Sequence, residues 1–179
     1  MPKVLAVIME LLLAVVFLWL LSFLVTFLHE FGHALGYMLG AGGRRWHIRV
    51  GSGKVLLDTK VLTVKAFPFD GYFSPLEKKI DSHAKLIMVL AGGPVLSLLL
   101  VVGLLVLKTS GISIHPEIFG PESMDFLSNY VLWMSIGMLI ITARPGHYSS
   151  GENNGMATDG QKIINVIKKI KSGSEEEKE

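Results

Sequence analysis

Apolar residues run almost unbroken from Val4 to Leu39, interrupted by Glu10 and then by His29, Glu30 and His33. A second apolar run covers about residues 84–107, "AKLIMVLAGGPVLSLLLVVGLLVL", and a third about 126–143, "FLSNYVLWMSIGMLIITA". All three are long and apolar enough to read as membrane-spanning helices. At 1.5 Å per residue the first exceeds the roughly 30 Å hydrocarbon core, so it must tilt, bend or project. Glu10 would mark its outer interface. The third run is short for a span and carries Asn129 and Ser135.

The pattern changes between the first two runs. "RWHIRVGSGKVLL" alternates and carries Gly51-Ser52-Gly53, which reads as a hairpin turn, and "TKVLTVKAF" adds strand-like sequence. A small β element over about 46–73 is predicted, lying against the membrane surface. Polar loops follow at Lys108–Asp125 and Pro145–Thr158. "DGQKIINVIKKIK" then spaces Ile163, Ile164, Ile167 and Ile170 for one helical face, with lysines that suit an anionic leaflet. The charged tail, residues 172–179, reads as disordered. The prediction is a polytopic α-helical membrane protein of about three spans. Residues 1–171 form one membrane-embedded domain with a β element and a C-terminal amphipathic helix.

Composition sharpens this picture. Half of the 179 residues are hydrophobic, and the mean hydropathy is +0.50, a membrane-like balance. The first apolar run exceeds a signal-peptide core of about 7–15 residues and has no small-x-small site after it, so it reads as a retained span. There is no cysteine, so any metal site must use His, Asp, Glu or water. A formal charge of +2 is too small to argue for nucleic acid. Basic residues concentrate between the first two spans, from Arg44 to Lys85, whereas the second connection has only Lys108 beside Glu117, Glu122 and Asp125. The positive-inside rule then puts the N-terminus outside and the first connection and C-terminal segment in the cytoplasm.

"HEFGH" at residues 29–33 is an H-E-x-x-H motif inside the first span. On a helix, His29 and His33 fall one turn apart on the same face and can grip a single zinc ion. Zinc would lower the pKa of a bound water towards 7, and Glu30 is placed as the general base. The bland alternative is a set of interfacial polar residues at a chance spacing. Average residue usage makes such a match rare, on the order of one chain in a hundred, and ionisable residues within a span default to function. A catalytic zinc takes a third protein ligand. Leu39 stands where a metzincin-type pattern needs histidine, so the ligand lies elsewhere. His47, His83, His147, Asp58, Asp70, Asp81 and Asp159 remain open; topology removes His115 and Asp125. Asp159 could equally be a helix cap.

These residues resemble the site-2 protease family, the intramembrane zinc metalloproteases, over most of the chain. "HEFGH" is similar to the family's zinc helix and "VGSGKVL" to the glycine-bearing strand after it. "FPFDGYF" resembles its proline-glycine-tyrosine segment, which sets Asp70 aside as a ligand. "AGGPVLS" resembles its second-span motif and "ATDGQKI" its Asp-Gly motif. The resemblance implies Asp159 as third ligand and hydrolysis of peptide bonds in transmembrane segments or membrane peptides, within regulated intramembrane proteolysis. Two departures bear on substrate positioning. Ser97 stands where the family often has Asn, and the approach to Asp159 is longer and more polar.

Gly92, Gly93 and Pro94 suggest a close helix contact or a loosened helix that a substrate approaches. Asn153 and Asn154 are candidates for a polar contact near the site, and His147 for a surface loop position or, alternatively, for assisting catalysis. The hairpin could dock substrate by strand addition or merely cover the site. Two rivals remain: a non-proteolytic membrane scaffold of the same fold, and a metal transporter using the same ligands. The implied partners are the bilayer and a membrane-protein or peptide substrate. Oligomeric state is not legible.

Overall fold

Uninterrupted apolar sequence with no proline after Pro2 lets one helix, α1 (Pro2–Gly36), run 35 residues before a single π turn at Tyr37–Ala41 closes it. The computed structural model describes residues 2–110 and 121–176. The remaining elements are β1 (Trp46–Asp58), β2 (Leu62–Pro75), α2 (His83–Thr109), α3 (Pro121–Ala143) and α4 (Asp159–Glu176). Three helices are long and apolar enough to cross a membrane: α1 with its π turn, α2 and α3. Much of the expected second loop, with His115 and Glu117, lies outside the described residues, as does the Glu10 side chain.

α1 and α2 run antiparallel in close contact. Gly32 faces Gly92 backbone to backbone, and a Cβ on either would strike the other's carbonyl. Glycines at both positions therefore permit this approach, as in small-residue helix pairs. One turn on, Gly36 lies against Met88. α3 completes the bundle through Ser22 and Tyr130, whose hydroxyls lie 2.6 Å apart, and through a hydrogen bond from Lys108 to Asn129.

Strands β1 and β2 form one antiparallel ribbon, and two expectations about it are corrected. The turn lies between Asp58 and Leu62, where Thr59 Oγ1 donates to Leu62 O, not at Gly51-Ser52-Gly53. Gly51 and Gly53 instead sit inside β1 with φ of 91° and 82°. Positive φ at these glycines bends the strand without ending it, and the register shifts there. The ribbon coils so that Ile48 pairs with Leu62 as well as Phe73, and Ile48 N–H donates to Val61 O at 2.9 Å.

Nor does the ribbon lie across the end of the helices, as a sheet on the membrane surface would. It runs lengthwise along α1. Trp19 Nε1–H donates to Ala66 O at 2.8 Å, and Thr26 Oγ1 to Pro68 O at 2.7 Å. Phe73 meets His33 and Tyr37. From residue 19 to 37, α1 rises about 27 Å. The cause is apolar complementarity: Ile48, Val50 and Ala34 form a buried cluster with Phe23, Phe27 and Phe31 packed on it.

Two expectations about α4 also shift. The helix continues through Ser172 to Glu176, so most of the predicted tail is helical; only residues 177–179 lie outside the description. Val166 is its buried apolar residue, whereas Ile167 and Ile170 are exposed. α4 packs against the start of α2 and the end of α3 over a short patch that does not take the whole isoleucine face.

Candidate metal centre

Helical spacing brings the His29 and His33 rings to 5.0 Å between centroids. Both are buried, on the side of α1 that faces α2. Asp159, at the start of α4, reaches them from 130 residues away. Its Oδ2 lies 3.4 Å from His29 Nε2 and 3.2 Å from His33 Nε2. These three ligand atoms lie within 4.8 Å of one another, a group able to hold a metal ion.

Asp159 is free for this because its neighbour caps the helix. Thr158 Oγ1 accepts from Gln161 N–H at 3.3 Å and donates to Arg144 O at 2.5 Å. An Asp at a helix start would ordinarily turn back to the backbone; here Thr158 takes that role. Burial disfavours the Asp159 carboxylate, but the adjoining His29 and His33 rings outweigh it and hold the carboxyl well below its usual range. Lys162 Nζ, one turn on, lies 3.3 Å from Asp159 Oδ1.

The far sides of both imidazoles are tied to α2. His33 Nδ1 lies 2.7 Å from Val89 O, and His29 Nδ1 2.9 Å from Ser97 Oγ. A carbonyl only accepts, so His33 carries its proton on Nδ1. In a neutral ring, Nε2 then presents a lone pair to the Asp159 carboxylate at 3.2 Å. Such a pair needs a positive charge between its members, either a second proton or a metal ion. Two imidazole nitrogens and a carboxylate oxygen lying close together, each ring held from behind, form a donor set that fits a divalent metal ion.

Glu30 is also buried, and its carboxylate has no hydrogen-bond partner among the described residues. It lines a cavity of about 70 Å³ with His33, Tyr148, Met156, Asp159 and Lys162. Tyr148 was not anticipated, because a lone tyrosine in a polar loop has no distinguishing spacing. It is presented by a small loop bridge in which His147 pairs with Ala157 and Tyr148 N–H donates to Met156 O. Burial first, and then the nearby Asp159 and Glu30 carboxylates, push its phenol pKa up. Lys162 was also missed, although its place three residues past Asp159 on a helix was a readable signal.

The other candidates divide clearly. Ser97 stands behind His29. Gly93 faces both imidazoles, Gly92 meets Gly32, and Pro94 follows within α2. Asn153 is buried and donates to Asp70 Oδ1 and Gly71 O. Asn154 is exposed, and its side chain makes no hydrogen bond among the described residues; the expected site contact falls to Asn153 alone. Asp70 is no ligand: it accepts from Asn153 and from Glu152 N–H at 2.6 Å. His47 and Asp58 bond Thr63, Asp81 pairs with Lys85, and His83 and His147 are exposed.

A polar latch joins the ribbon to the loop before α4. Glu152 is held by Arg49 Nη1 at 2.7 Å, by Lys65 Nζ at 2.7 Å and by Gly53 N–H at 3.2 Å. Arg49 Nη2 also donates to Asn153 Oδ1 at 3.1 Å. Protein-family models, curated proteins and solved structures were all compared with the chain, and none matches.

Proposed function

We propose that this chain is an intramembrane zinc endopeptidase, with His29, His33 and Asp159 as metal ligands and Glu30 as general base. The observation that carries the reading is the convergence of those three donor atoms beside the Glu30 carboxylate, which faces the adjoining cavity, among helices apolar enough to span a bilayer. The resemblance of five sequence segments to site-2 proteases points the same way.

When bound, zinc supplies a Lewis acid that polarises a carbonyl and lets water lose a proton near neutral pH. The chain's residues do the rest. Ser97 and Val89 fix the two rings so that both Nε2 atoms point inward. Thr158 fixes the start of α4 so that Asp159 completes the set. Glu30 accepts the proton of the attacking water and returns it to the leaving amine. Exposed apolar residues along α1 from Val4 to Phe17, and Val55, Leu56, Leu57 and Val61 on the ribbon, suit contact with lipid. The substrate is a transmembrane segment or membrane peptide, which must unwind because a helix keeps its carbonyls bonded. The N-terminus lies outside and the site towards the cytoplasm, as in regulated intramembrane proteolysis.

The test is cleavage of a membrane-peptide substrate by purified protein, with zinc counted per chain. Glu30→Gln is expected to retain zinc and lose cleavage. An active Glu30→Gln protein would refute the assigned base. A wild type that is metal-free after chelator-free purification would favour the scaffold reading.

A further inference from the structure

Beside the metal centre lies a larger cleft, of about 490 Å³. Phe67 and Phe69 of β2 form one wall; Trp133, Gly137, Met138 and Ile141 of α3 form the other. Glu30, Gly71, Tyr148 and Asn153 line both this cleft and the cavity at the three ligands, so the two spaces are adjacent and share these residues. Phe67, Phe69 and Trp133 are 63%, 70% and 69% exposed, more than an aromatic wall packed by its own chain would be. The α3 wall is recessed at Gly137, where an added Cβ would meet nothing within 4 Å.

We infer that this cleft is the subsite for a bulky apolar side chain next to the scissile bond of an extended apolar peptide, gripped between β2 and α3. The inference rests on the endopeptidase reading. Adjacency selects the occupant: a side chain seated between Phe69 and Trp133 shares its cleft with Glu30, which also lines the cavity at the three ligands. The hydroxyls of Ser52 and Tyr148, both lining the cleft, have no hydrogen-bond partner among the described residues. A peptide backbone offers donors and acceptors to both, and a lipid acyl chain offers neither. Aromatic walls accept Phe, Leu or Met and reject Asp, whose charge would be desolvated without a counterion.

The experiment uses the full chain in lipid nanodiscs and apolar peptides that differ only in the residues flanking the cut, set to Phe, Leu, Ala or Asp. Wild type is expected to favour Phe or Leu over Ala at one flanking position by about tenfold or more in kcat/KM. Gly137→Leu, which fills the recess, should reduce that ratio about tenfold. Gly103→Leu, on α2 with open space around it, should leave the ratio intact. A second readout needs no turnover. In Glu30→Gln protein, a peptide carrying nitrophenylalanine should quench Trp133 emission, and adding Trp133→Phe should remove that quenching.

Cleavage with an unchanged ratio and no quenching would overturn the subsite and leave the endopeptidase standing. Quenching without cleavage by wild type would refute hydrolysis, and with it the place beside a scissile bond. Quenching by brominated acyl chains that the peptide fails to displace would make the cleft a lipid groove and overturn the inference.

Discussion

Ser97 stands directly behind His29, its Oγ 2.9 Å from the ring's Nδ1. This contact holds the inward-facing Nε2 in place. Ser97→Ala should leave the bundle intact but lower zinc affinity about 10- to 100-fold, the usual cost of losing such a support. Competition against a chromogenic chelator measures it. Unchanged affinity would mean that packing alone orients the ring.

Gly93 makes the opposite kind of contribution, by having no side chain. A Cβ there would meet His33 Nε2 and lie 2.8 Å from His29 Nε2. Gly93→Ala should therefore abolish stoichiometric zinc. Gly103→Ala on the same helix, where nothing lies within 4 Å, should retain it. Metal analysis beside circular dichroism separates loss of the site from loss of the helix.

Thr158 caps α4 and also ties it back to Arg144. Thr158→Ala should cost about 1 kcal/mol of stability, visible in thermal unfolding in detergent. It should also weaken zinc binding, because Asp159 would then compete for the vacant cap. Thr158→Ser keeps the oxygen and should restore both.

The latch should loosen in acid. Glu152 has its pKa lowered, chiefly by the Lys65 hydrogen bond and also by Gly53 N–H and Arg49. A depressed carboxyl pKa stabilises the folded form fully above the ordinary value of about 4.3 and progressively less as pH falls below it. Hydrogen-exchange protection at Gly53 and Glu152, measured against the intrinsic rate at each pH, should fall below about pH 4. Glu152→Gln should show the reduced protection already at neutral pH and little further loss in acid.

The three long apolar helices were legible because apolar length is a local signal, and His29, Glu30 and His33 because one helical turn fixes their spacing. What escaped depended on contacts distant in sequence. Gly51-Ser52-Gly53 has turn composition, but the ribbon uses its glycines to bend within a strand. Nothing local to Ala66 or Pro68 shows that Trp19 and Thr26 will bind them and draw the ribbon along α1. Asp159 lies too far along the chain for spacing to choose it among the open acids; only the resemblance singled it out. The inward residue of α4 is Val166 because docking, not periodicity, decides which part of an apolar face is covered.

The backbone contact between Gly32 and Gly92 has a mechanical consequence. Two helices that touch without intervening side chains have no slack to give, and both imidazoles are braced across that seam. α1 and α2 therefore act as a door frame, and under the proposed endopeptidase reading the admission of substrate would fall to the parts hung on it. Those are α3, joined to α1 by the Ser22–Tyr130 hydroxyl pair, and the ribbon with its salt-bridged loop. On that reading, cross-links between α1 and α2 should leave cleavage intact, whereas one between β2 and α3 should block it.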